Sequence, residues 1–461
     1  MIRVVNMIPR SLSNEKNQDS EPSIAVNPSN PLEIVGTAFT PDPLGGAHAP
    51  IFVSTDGGMS WALHSIVPEG PRTADISLAF ADSGGALYGG ILAGTTGDLN
   101  ILRAANALAP TPMTVLGGRP NEDQPWAAAA TVEDGGTSRD HVFIGHNDFN
   151  TGSATASVEL SQDARTAPAP AGFATHVVEK RNTMGQDGPP VRLAIHPSGV
   201  VYAAFQRWVT SLGDTPETSD REIDVVVVRD DDWGRGKPFT ALLDPGDSEP
   251  GVRVQENAFV RFTTSVGPLG QERIGGDLSI AVDPADANHV WLAWCDRVGG
   301  ANGTDWTMHV RHSTDAGETW SDDVHNVDNA KNPALAINAS GVLALMYQQL
   351  AGIGASSSWV TEIVRTSDAF ASDGSVTRLH IAPFSAPKRI GLPYLGDYIR
   401  LLAVGDTFFG VFSGSNVPDL AHFPNGVSYQ RNANFATKTL FGVDGAKAVE
   451  PSIDPFFVTL S

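Results

Sequence analysis

One phrase recurs along the chain: a polar or turn residue, a short apolar strand, a turn built on Pro, Gly or Asp, and a second apolar strand. We find seven copies, which begin at Glu21, Asp75, Asp123, Pro190, Asp277, Asn332 and Asp397. A repeated unit that cannot bury both of its faces alone is stabilised by its neighbours in an array. The repeat therefore constrains the fold more than the length of 461 residues does.

The strands of the repeat indicate how it packs. The first strands are apolar at both odd and even positions, as in SIAV, PWAAAA and ALAI, which is typical of sheets covered on both faces. Each hairpin is followed by a third candidate strand, from PIFVSTDGG in the first copy to VSYQRNAN in the seventh. A radial arrangement covers every sheet and protects its edges. We predict an all-β fold, a seven-bladed β-propeller of four-stranded antiparallel blades.

The ends of the chain bear on how such a ring closes. MIRVVNMI at the start and PFFVTLS at the end both have the composition of strands, and either could complete the other's blade. We predict a single β-propeller domain over residues 1–461, in which residues 1–20 are a candidate for closing the ring.

Composition disfavours several classes of function. A formal net charge of −22 argues against a nucleic acid or an anionic membrane as partner, because such surfaces repel a polyanion. The single cysteine, Cys295, allows neither an intrachain disulfide nor a cysteine-based zinc site. Residues 1–20 contain no apolar core of signal-peptide length, and no later stretch approaches membrane-spanning length. We expect a soluble monomer, either cytoplasmic or secreted by a bacterium.

A second motif, Ser-x-Asp-x-Gly-x-x-Trp, occurs in full as STDGGMSW from Ser54 and STDAGETW from Ser313. Its Ser and Asp side chains can bind turn amides, its Gly permits a positive φ, and its Trp can pack beneath the hairpin. The motif resembles the Asp-box of the sialidase superfamily, or BNR-repeat proteins, with degenerate copies at Ser161 and Ser367. The resemblance implies a propeller whose Asp-boxes join third and fourth strands, opposite the active site. EPSIAV, DQPW and LGDY also resemble bacterial members of this group.

A functional site is predicted at the other end of the channel, where first strands begin and second strands end. Guanidinium groups there can bind a carboxylate, acids can transfer protons, and an aromatic face can cover a sugar ring. The catalytic candidates are Asp277, Asp75, Tyr398 and Glu21. The substrate-binding candidates are Arg192, Arg297, Arg400, Arg207, Trp126, Gln124 and Asn332. Each acid also has a structural interpretation, in which its pairing locks blades together.

Sialidases, which the chain resembles, are glycoside hydrolases that hold the sialic acid carboxylate with three arginines. They use an Asp as acid/base and a Tyr nucleophile activated by Glu. By position, the resemblance implies the following set: Arg192, Arg297 and Arg400 as the clamp, Tyr398 as the nucleophile, and Asp277 or Asp75 as the acid/base. The Phe/Tyr-Arg-Ile-Pro motif that opens the first sialidase blade is absent, and MIPRS is the nearest text.

Three functions are open on this basis. The first is a sialidase-like glycan-processing enzyme with an exo-glycosidase site at the mouth of the propeller. The second is a propeller that binds a glycan through the same face without cleaving it, and the third is a scaffold propeller that binds a protein. The expected partner of the mouth is a glycan or glycoconjugate, with no insertion into a membrane. No cofactor is predicted, and a structural Ca²⁺ ion is left open.

Overall fold

In the computed structural model of the chain, the described residues are 1–39, 46–68, 70, 72–82, 85–93, 97–165, 172–185, 191–212, 220–263, 272–274, 277–297, 306–352, 356–383 and 395–461. They form seven sheets of four or five strands and one sheet of three. Each sequence repeat supplies the first two strands of one sheet, and the sheets are numbered 1 to 7 in that order. The predicted start of the fourth repeat, Pro190, lies outside the described residues.

Five of the sheets are four-stranded antiparallel meanders. Sheet 1 consists of Ser23–Val26, Ile34–Thr37, Ala49–Ser54 and Ala62–Val67. Sheet 2 consists of Ile76–Phe80, Leu87–Leu92, Leu99–Ala104 and Thr114–Arg119. Sheet 3 consists of Glu122–Asp134, Thr137–Asp148, Ala156–Ser161 and Ala174–Val177. Sheet 5 consists of Leu278–Asp283, Asp286–Arg297, Trp306–Ser313 and His325–Asp328. Sheet 6 consists of Ala330–Ile337, Leu343–Ala351, Ser358–Thr366 and Ser375–Pro383.

Two sheets carry a fifth strand. Sheet 4 consists of Arg192–Ile195, Val201–Leu212, Asp220–Asp230, Val252–Thr263 and Glu272–Ile274. Sheet 7, in spatial order, consists of Arg400–Val404, Thr407–Ser415, Ile453–Leu460, Ile2–Asn6 and Ser428–Tyr429. The small sheet consists of Ala433–Asn434, Thr439–Phe441 and Ala448–Val449. Short 3-10 helices span Arg10–Leu12, Phe149–Thr151 and Leu420–His422. None of the described helices has the length and apolarity to cross a membrane.

The sheets close into a ring around a channel. The first strand of each sheet contacts the first strand of the next, and that of sheet 7 contacts that of sheet 1. A separate hydrophobic cluster fills each space between neighbouring sheets; Val225 of sheet 4 and Leu292 of sheet 5 share one, for example. Burial of both faces explains why the first strands are apolar at odd and even positions alike. The predicted all-β propeller of antiparallel sheets is confirmed.

Sheet 7 joins the two ends of the chain. Ile2–Asn6 pairs antiparallel with Ile453–Leu460, which in turn pairs with Thr407–Ser415. The prediction that VSYQRNAN forms the third strand of this repeat is wrong, because Ser428–Tyr429 is a short outer strand, parallel to Ile2–Asn6. The physical reason is burial: Ile453–Leu460 is almost wholly apolar and inaccessible, whereas Ser428–Tyr429 is partly exposed.

The two full Ser-x-Asp-x-Gly-x-x-Trp turns follow the third strands of sheets 1 and 5, and their Ser and Asp side chains have the same hydrogen bonds. Ser54 Oγ accepts from the amide of Gly58 at 2.9 Å and donates to Asp56 Oδ1 at 2.8 Å. In the second turn the Ser313 hydroxyl has the equivalent partners at 2.8 and 2.7 Å. The Ser and Asp side chains of the turns thus bind local amides and hydroxyls, as the sequence predicts.

The degenerate turns use other side chains in the same role. In sheet 6, Thr366 Oγ1 accepts from the amide of Phe370 at 3.0 Å and donates to Asp368 Oδ1 at 2.7 Å, so the serine position is Thr366 and not the predicted Ser367. The reason is register, because Thr366 ends the strand. In sheet 4, the carboxylate of Asp230 replaces the hydroxyl and accepts from the amide of Gly234 at 2.5 Å.

Candidate functional site

The mouth of the channel is the end at which the first strands begin, opposite the Ser-Asp turns. Side chains from sheets 2, 3, 4, 5 and 7 meet there through hydrogen bonds and ring contacts. We call this group the mouth cluster; its members are Asp75, Trp126, Arg192, Asp277, Tyr398 and Arg400. The structure therefore brings together six residues that the sequence placed at a common site, although they come from five different repeats.

Arg192 and Asp277 form a buried ion pair at the centre of the cluster. Nε and Nη2 of Arg192 donate to Asp277 Oδ1 at 2.8 and 2.5 Å. Each side chain is about 2% exposed or less. Burial raises the pKa of Asp277 to about 7, although Arg192 and the amide of Leu278 act against this rise. Asp277 is therefore a carboxyl group that can gain or lose a proton near neutral pH.

Tyr398 and Asp75 form the second pair of the cluster. The Tyr398 hydroxyl donates to Asp75 Oδ1 at 3.1 Å. Burial, together with the charges of Asp75 and Glu21, raises the pKa of Tyr398 well above its ordinary value. Tyr398 is thus a neutral hydroxyl at physiological pH, and Asp75 is the acceptor placed to take its proton.

Trp126 lies between the two pairs. The guanidinium carbon of Arg192 is 3.4 Å from the centroid of the Trp126 ring, and that of Arg400 is 4.5 Å from it. The Tyr398 ring meets Trp126 edge-on at 5.9 Å. Trp126 and Asp75 are half-buried, while Arg192, Asp277, Tyr398 and Arg400 are buried. Trp126, Arg192, Asp277 and Arg400 line a cavity that runs along the channel.

Three further predicted site residues share an unusual backbone geometry. Glu21, Gln124 and Asn332 each precede a proline where a first strand begins, and their φ angles are 54°, 53° and 54°. A residue other than glycine is strained when its backbone lies in this left-handed region, and it keeps that conformation only where its surroundings fix it. The strand register also shifts at Gln124 and Asn332, as in a β-bulge that re-aims a side chain.

These strained residues connect neighbouring sheets at the mouth. Asn332 Nδ2 donates to Gln348 Oε1 at 2.9 Å and to the carbonyl of Gly396 at 3.0 Å. Glu21 Oε1 accepts from the amide of Asp397 at 3.3 Å. Gln124 is also buried, and its backbone amide donates to Asp123 Oδ1 at 2.9 Å. Glu21 and Asn332 thus link the start of sheet 7 to sheets 1 and 6.

The remaining predicted arginines are engaged elsewhere. Arg297 forms an ion pair with Asp220 of sheet 4. Arg207 donates to Asp224 Oδ2 at 2.7 Å and to the carbonyl of Asn182. Both arginines therefore pair with acids of sheet 4. Among the described residues, Arg192 and Arg400 both contact Trp126, and no contact is seen that joins Arg297 to them as a third member of a clamp.

Sequence reasoning did not identify the partners of Arg400. Its Nη1 donates to the hydroxyls of Ser23 at 3.1 Å and Ser77 at 2.8 Å, and its Nη2 donates to the carbonyl of Ala127 at 3.0 Å. Arg400 therefore reaches from sheet 7 across the channel to sheets 1, 2 and 3. Serine in an apolar strand was the available signal, since Ser23 and Ser77 occupy equivalent positions in SIAV and SLAF.

A second polar cluster lies between sheets 2 and 3. His146 Nδ1 is 2.5 Å from Glu122 Oε2, and Arg119 forms an ion pair with Glu159 at 3.0 Å. Burial raises the pKa of Glu122 to about 9 and lowers that of His146 to about 4. At pH 7 Glu122 is therefore a neutral acid and His146 a neutral imidazole, so the carboxyl proton of Glu122 lies in the hydrogen bond between them. The ion pair of Arg119 with Glu159 joins sheets 2 and 3 at this cluster.

One group of described residues could hold a cation. Glu15, Asp19 and Asp454 are buried, and one oxygen from each lies within 4.8 Å of the others. Arg431 already forms an ion pair with Asp454 at 2.7 Å. Asn6 and Asn416 donate to the same carboxylate at 2.7 and 2.6 Å. The protein itself thus supplies a positive charge and two hydrogen-bond donors to Asp454. Whether a structural Ca²⁺ ion binds there stays a prediction.

Comparison with known proteins supports the fold. No protein-family model and no curated protein matches the chain. Among solved structures, the chain is similar to an ulvan lyase of the polysaccharide lyase family PL25, with a TM-score of 0.53 and 8% identity over 89% of this chain and 93% of that chain. A second ulvan lyase structure, bound to a saccharide of glucuronic acid and sulfated rhamnose, gives a TM-score of 0.52 with the same identity and coverage.

A more distant match is the GH93 α-L-arabinofuranosidase of Fusarium graminearum in complex with arabinobiose. Its TM-score is 0.40, with 11% identity over 98% of this chain and 97% of that chain. At 8% identity the two ulvan lyase structures establish a shared fold alone, and sites must be argued from their own residues. Membership of the sialidase superfamily accordingly stays a prediction from the sequence.

Proposed function

We propose that this protein is a glycan-processing enzyme whose active site is the mouth cluster. The observation that carries the proposal is the meeting of two proton-transfer groups beside an aromatic ring. One is Asp277, with a pKa of about 7, and the other is the Tyr398–Asp75 hydrogen bond. Groups whose pKa values are pushed apart by their surroundings are the usual mark of acid/base assignments.

The roles follow from the protonation states. Asp277 in its protonated form can give a proton to a leaving oxygen, and Arg192 positions it through two N–H donors. Tyr398 can act as nucleophile once Asp75 accepts its proton, which the 3.1 Å hydrogen bond prepares. Trp126 is half-buried beside both pairs, and a sugar ring could contact the part of its indole that Arg192 and Arg400 leave uncovered.

The sialidase-like assignment is the finer form of this proposal. It is supported by the resemblance of the turn motifs and by the presence of Arg, Asp and Tyr in one cluster. It makes an acidic sugar at a chain end the expected substrate. The shared fold with an ulvan lyase that binds a saccharide containing glucuronic acid supports testing uronides alongside sialosides.

The test is turnover of fluorogenic sialosides, uronides and neutral glycosides, together with uronic-acid polysaccharides. We expect Asp277→Asn to lower kcat by about 100-fold or more, since it removes a general acid. Asp286→Asn is the matched control, because Asp286 is an exposed acid in a hairpin at the far end of the channel. Native protein that turns over no substrate in the panel, or an Asp277→Asn variant as active as the control, would refute the catalytic proposal.

Burial of the reactive groups favours a second candidate, a propeller that binds a glycan without cleaving it. Tyr398 and Asp277 are each 2% exposed, so a sugar on Trp126 would not contact them without movement of the mouth. Binding to a glycan array, lost in Trp126→Ala and unaccompanied by turnover, is the result expected of this candidate. An array without any bound glycan would count against it.

A further inference from the structure

Asp277 has one carboxyl oxygen that the protein leaves unused. The three hydrogen bonds that this side chain accepts all go to Oδ1, from Nε and Nη2 of Arg192 and from the amide of Leu278 at 2.7 Å. No group among the described residues donates to Oδ2, yet this oxygen is not sealed off from water as Nη1 of Arg192 is. Oδ2 is therefore an open hydrogen-bonding position at the inner end of the channel.

The cavity that runs along the channel lies at this carboxyl group. Its volume is about 250 Å³, and it follows the first strands of sheets 4 to 7. Apart from Ser279 and the charged residues of the mouth cluster, the side chains in its wall are apolar. Each of these strands pairs on one side only, so peptide groups of the free edges also face the channel. The open oxygen of Asp277 thus meets a largely apolar space without another carboxylate.

The cavity opens toward the turn end of the channel. Ile195, Val282 and Ala403 line it near the ends of their first strands, and these side chains are half-buried. Arg192 and Asp277, which line it at the mouth end, are buried. A ligand therefore enters between the Ser-Asp turns and meets Asp277 last.

The arginines of the mouth cluster do not turn free donors toward this space. Nη1 and Nη2 of Arg400 are bound to two serine hydroxyls and a carbonyl oxygen, and Nε and Nη2 of Arg192 are bound to Asp277. The remaining nitrogens, Arg400 Nε and Arg192 Nη1, are enclosed by the protein. The geometry thus favours a ligand for the carboxyl group over an anion for the guanidinium groups.

A hydroxyl group suits Asp277 Oδ2 with or without a proton. The pKa of Asp277 is about 7, so both forms of the carboxyl group are present at neutral pH. A hydroxyl accepts a hydrogen bond from the protonated form and donates one to the ionised form, whereas a carboxylate ligand would be repelled by the ionised form. An apolar cavity of about 150 Å³ holds a benzene molecule, so a cavity of about 250 Å³ has room for a substituted ring.

We propose that the channel cavity binds a small uncharged phenol, which enters from the turn end and places its hydroxyl on Asp277 Oδ2. Its ring lies between the first strands of sheets 4 to 7, where apolar side chains cover it. The proposal goes beyond the proposed function and does not depend on turnover at the mouth cluster, since binding breaks no bond.

The first test is calorimetric titration of the whole protein with 4-bromophenol, which is uncharged at neutral pH. We expect one molecule to bind per chain, and bromobenzene, which lacks the hydroxyl, to bind about tenfold more weakly. Ala403→Phe places a larger side chain at the open end of the cavity and should abolish binding. Ala285→Phe is the matched control and should keep it, because Ala285 is exposed in a hairpin at the same end and does not line the cavity.

Three results would overturn the proposal. They are a native protein that binds no 4-bromophenol, an Ala403→Phe variant that binds it as tightly as the control does, and tighter binding of 4-bromobenzoate than of 4-bromophenol, which would assign the site to anions. A second measurement covers the case in which Ala403→Phe fails to fold. Crystals of the native protein soaked in 4-bromophenol should show the anomalous peak of bromine in the channel, on the turn side of Asp277, and the absence of that peak would also reject the site.

Discussion

The two ends of the channel use aspartate in opposite ways. At the turn end, Asp56 and Asp315 accept hydrogen bonds from residues two to four positions away, and these bonds lower their pKa despite partial burial. At the mouth, Asp277 is buried against Arg192, 85 residues away in sequence, and its pKa rises to about 7. The comparison teaches that a local motif builds the fold, whereas the carboxyl group with a raised pKa lies among contacts between distant repeats.

The largest effect that tests this contrast is the loss of the buried ion pair. Arg192→Met should lower the free energy of unfolding by about 3–5 kcal/mol, because it leaves Asp277 buried without its partner. Arg235→Met, which breaks an ion pair between largely exposed side chains, should cost less than about 1 kcal/mol. Denaturant unfolding measures both. The double variant Arg192→Met/Asp277→Leu should recover much of the loss, and a cost equal to the sum of the single changes would contradict the pairing.

At the turn end, backbone geometry should dominate. Gly58 has a φ of 81°, and a Cβ atom there would lie 2.1 Å from the ring of Phe457 in sheet 7. We expect Gly58→Ala to cost about 3 kcal/mol of unfolding free energy from strain and overpacking. Gly57→Ala is the matched control, since its φ is 72° but its nearest neighbour, Leu32, is 3.4 Å away. It should cost about 1 kcal/mol, and equal losses for the two variants would mean that the contact with sheet 7 is unimportant.

The third contrast is in the direction in which stability changes with pH. The raised pKa of Asp277 means that the folded protein holds a proton that the unfolded chain releases above pH 4. Its contribution to stability therefore falls as the pH rises from about 4 to about 7. The lowered pKa of Asp56 has the opposite consequence, since its contribution is present above its unfolded pKa and is lost as the pH falls below about 4.

Unfolding free energies measured from pH 3 to pH 8 separate the contribution of Asp277 from that of Asp56. The difference between native protein and Asp277→Asn should change between pH 4 and 7, while that between native protein and Asp56→Asn should change only in the acid range. A flat difference for Asp277→Asn over that window would show that burial does not hold its proton.

The smallest effect concerns additivity within the turns. Ser54→Ala and Ser313→Ala should each cost about 1 kcal/mol, because each removes a hydroxyl with an amide and a carboxylate partner. The turns lie in sheets 1 and 5, which are not neighbours in the ring, so the double variant should cost the sum of the two. A coupling above about 0.5 kcal/mol would mean that the turns are not independent units.

The fold was predictable because its signals are local and repeated. Alternating turns and apolar strands marked every blade, and the turn motif marked the ends of third strands. The exception is sheet 7, whose third strand, Ile453–Leu460, follows its second strand only after a long insertion and pairs with Ile2–Asn6 from the other end of the chain. The spacing of the repeats does not show this pairing, and only the strand-like composition of MIRVVNMI and PFFVTLS pointed to it.

The grouping of residues in the mouth cluster was predictable, but their contacts were not. Strand topology placed Asp277, Arg192 and Tyr398 at one mouth, since first strands all begin there. Which arginine meets which acid depends on side chains that cross the channel, so Arg297 and Arg207 have partners in the blades while Arg400 binds serines. The left-handed residues before proline were equally hidden, because the residue before proline ordinarily favours extended backbone.

The pairing in sheet 7 has a mechanical consequence. Ile2 lies opposite Leu460, and the amino group of Met1 donates to the carbonyl of Ser461 at 2.8 Å, so the two chain ends leave the ladder at the same point. A force applied between them loads one rung of hydrogen bonds at a time and peels the strands apart, whereas force along a strand would shear all rungs together. Pulled from its ends, the ring opens first at the strand pair that closes it.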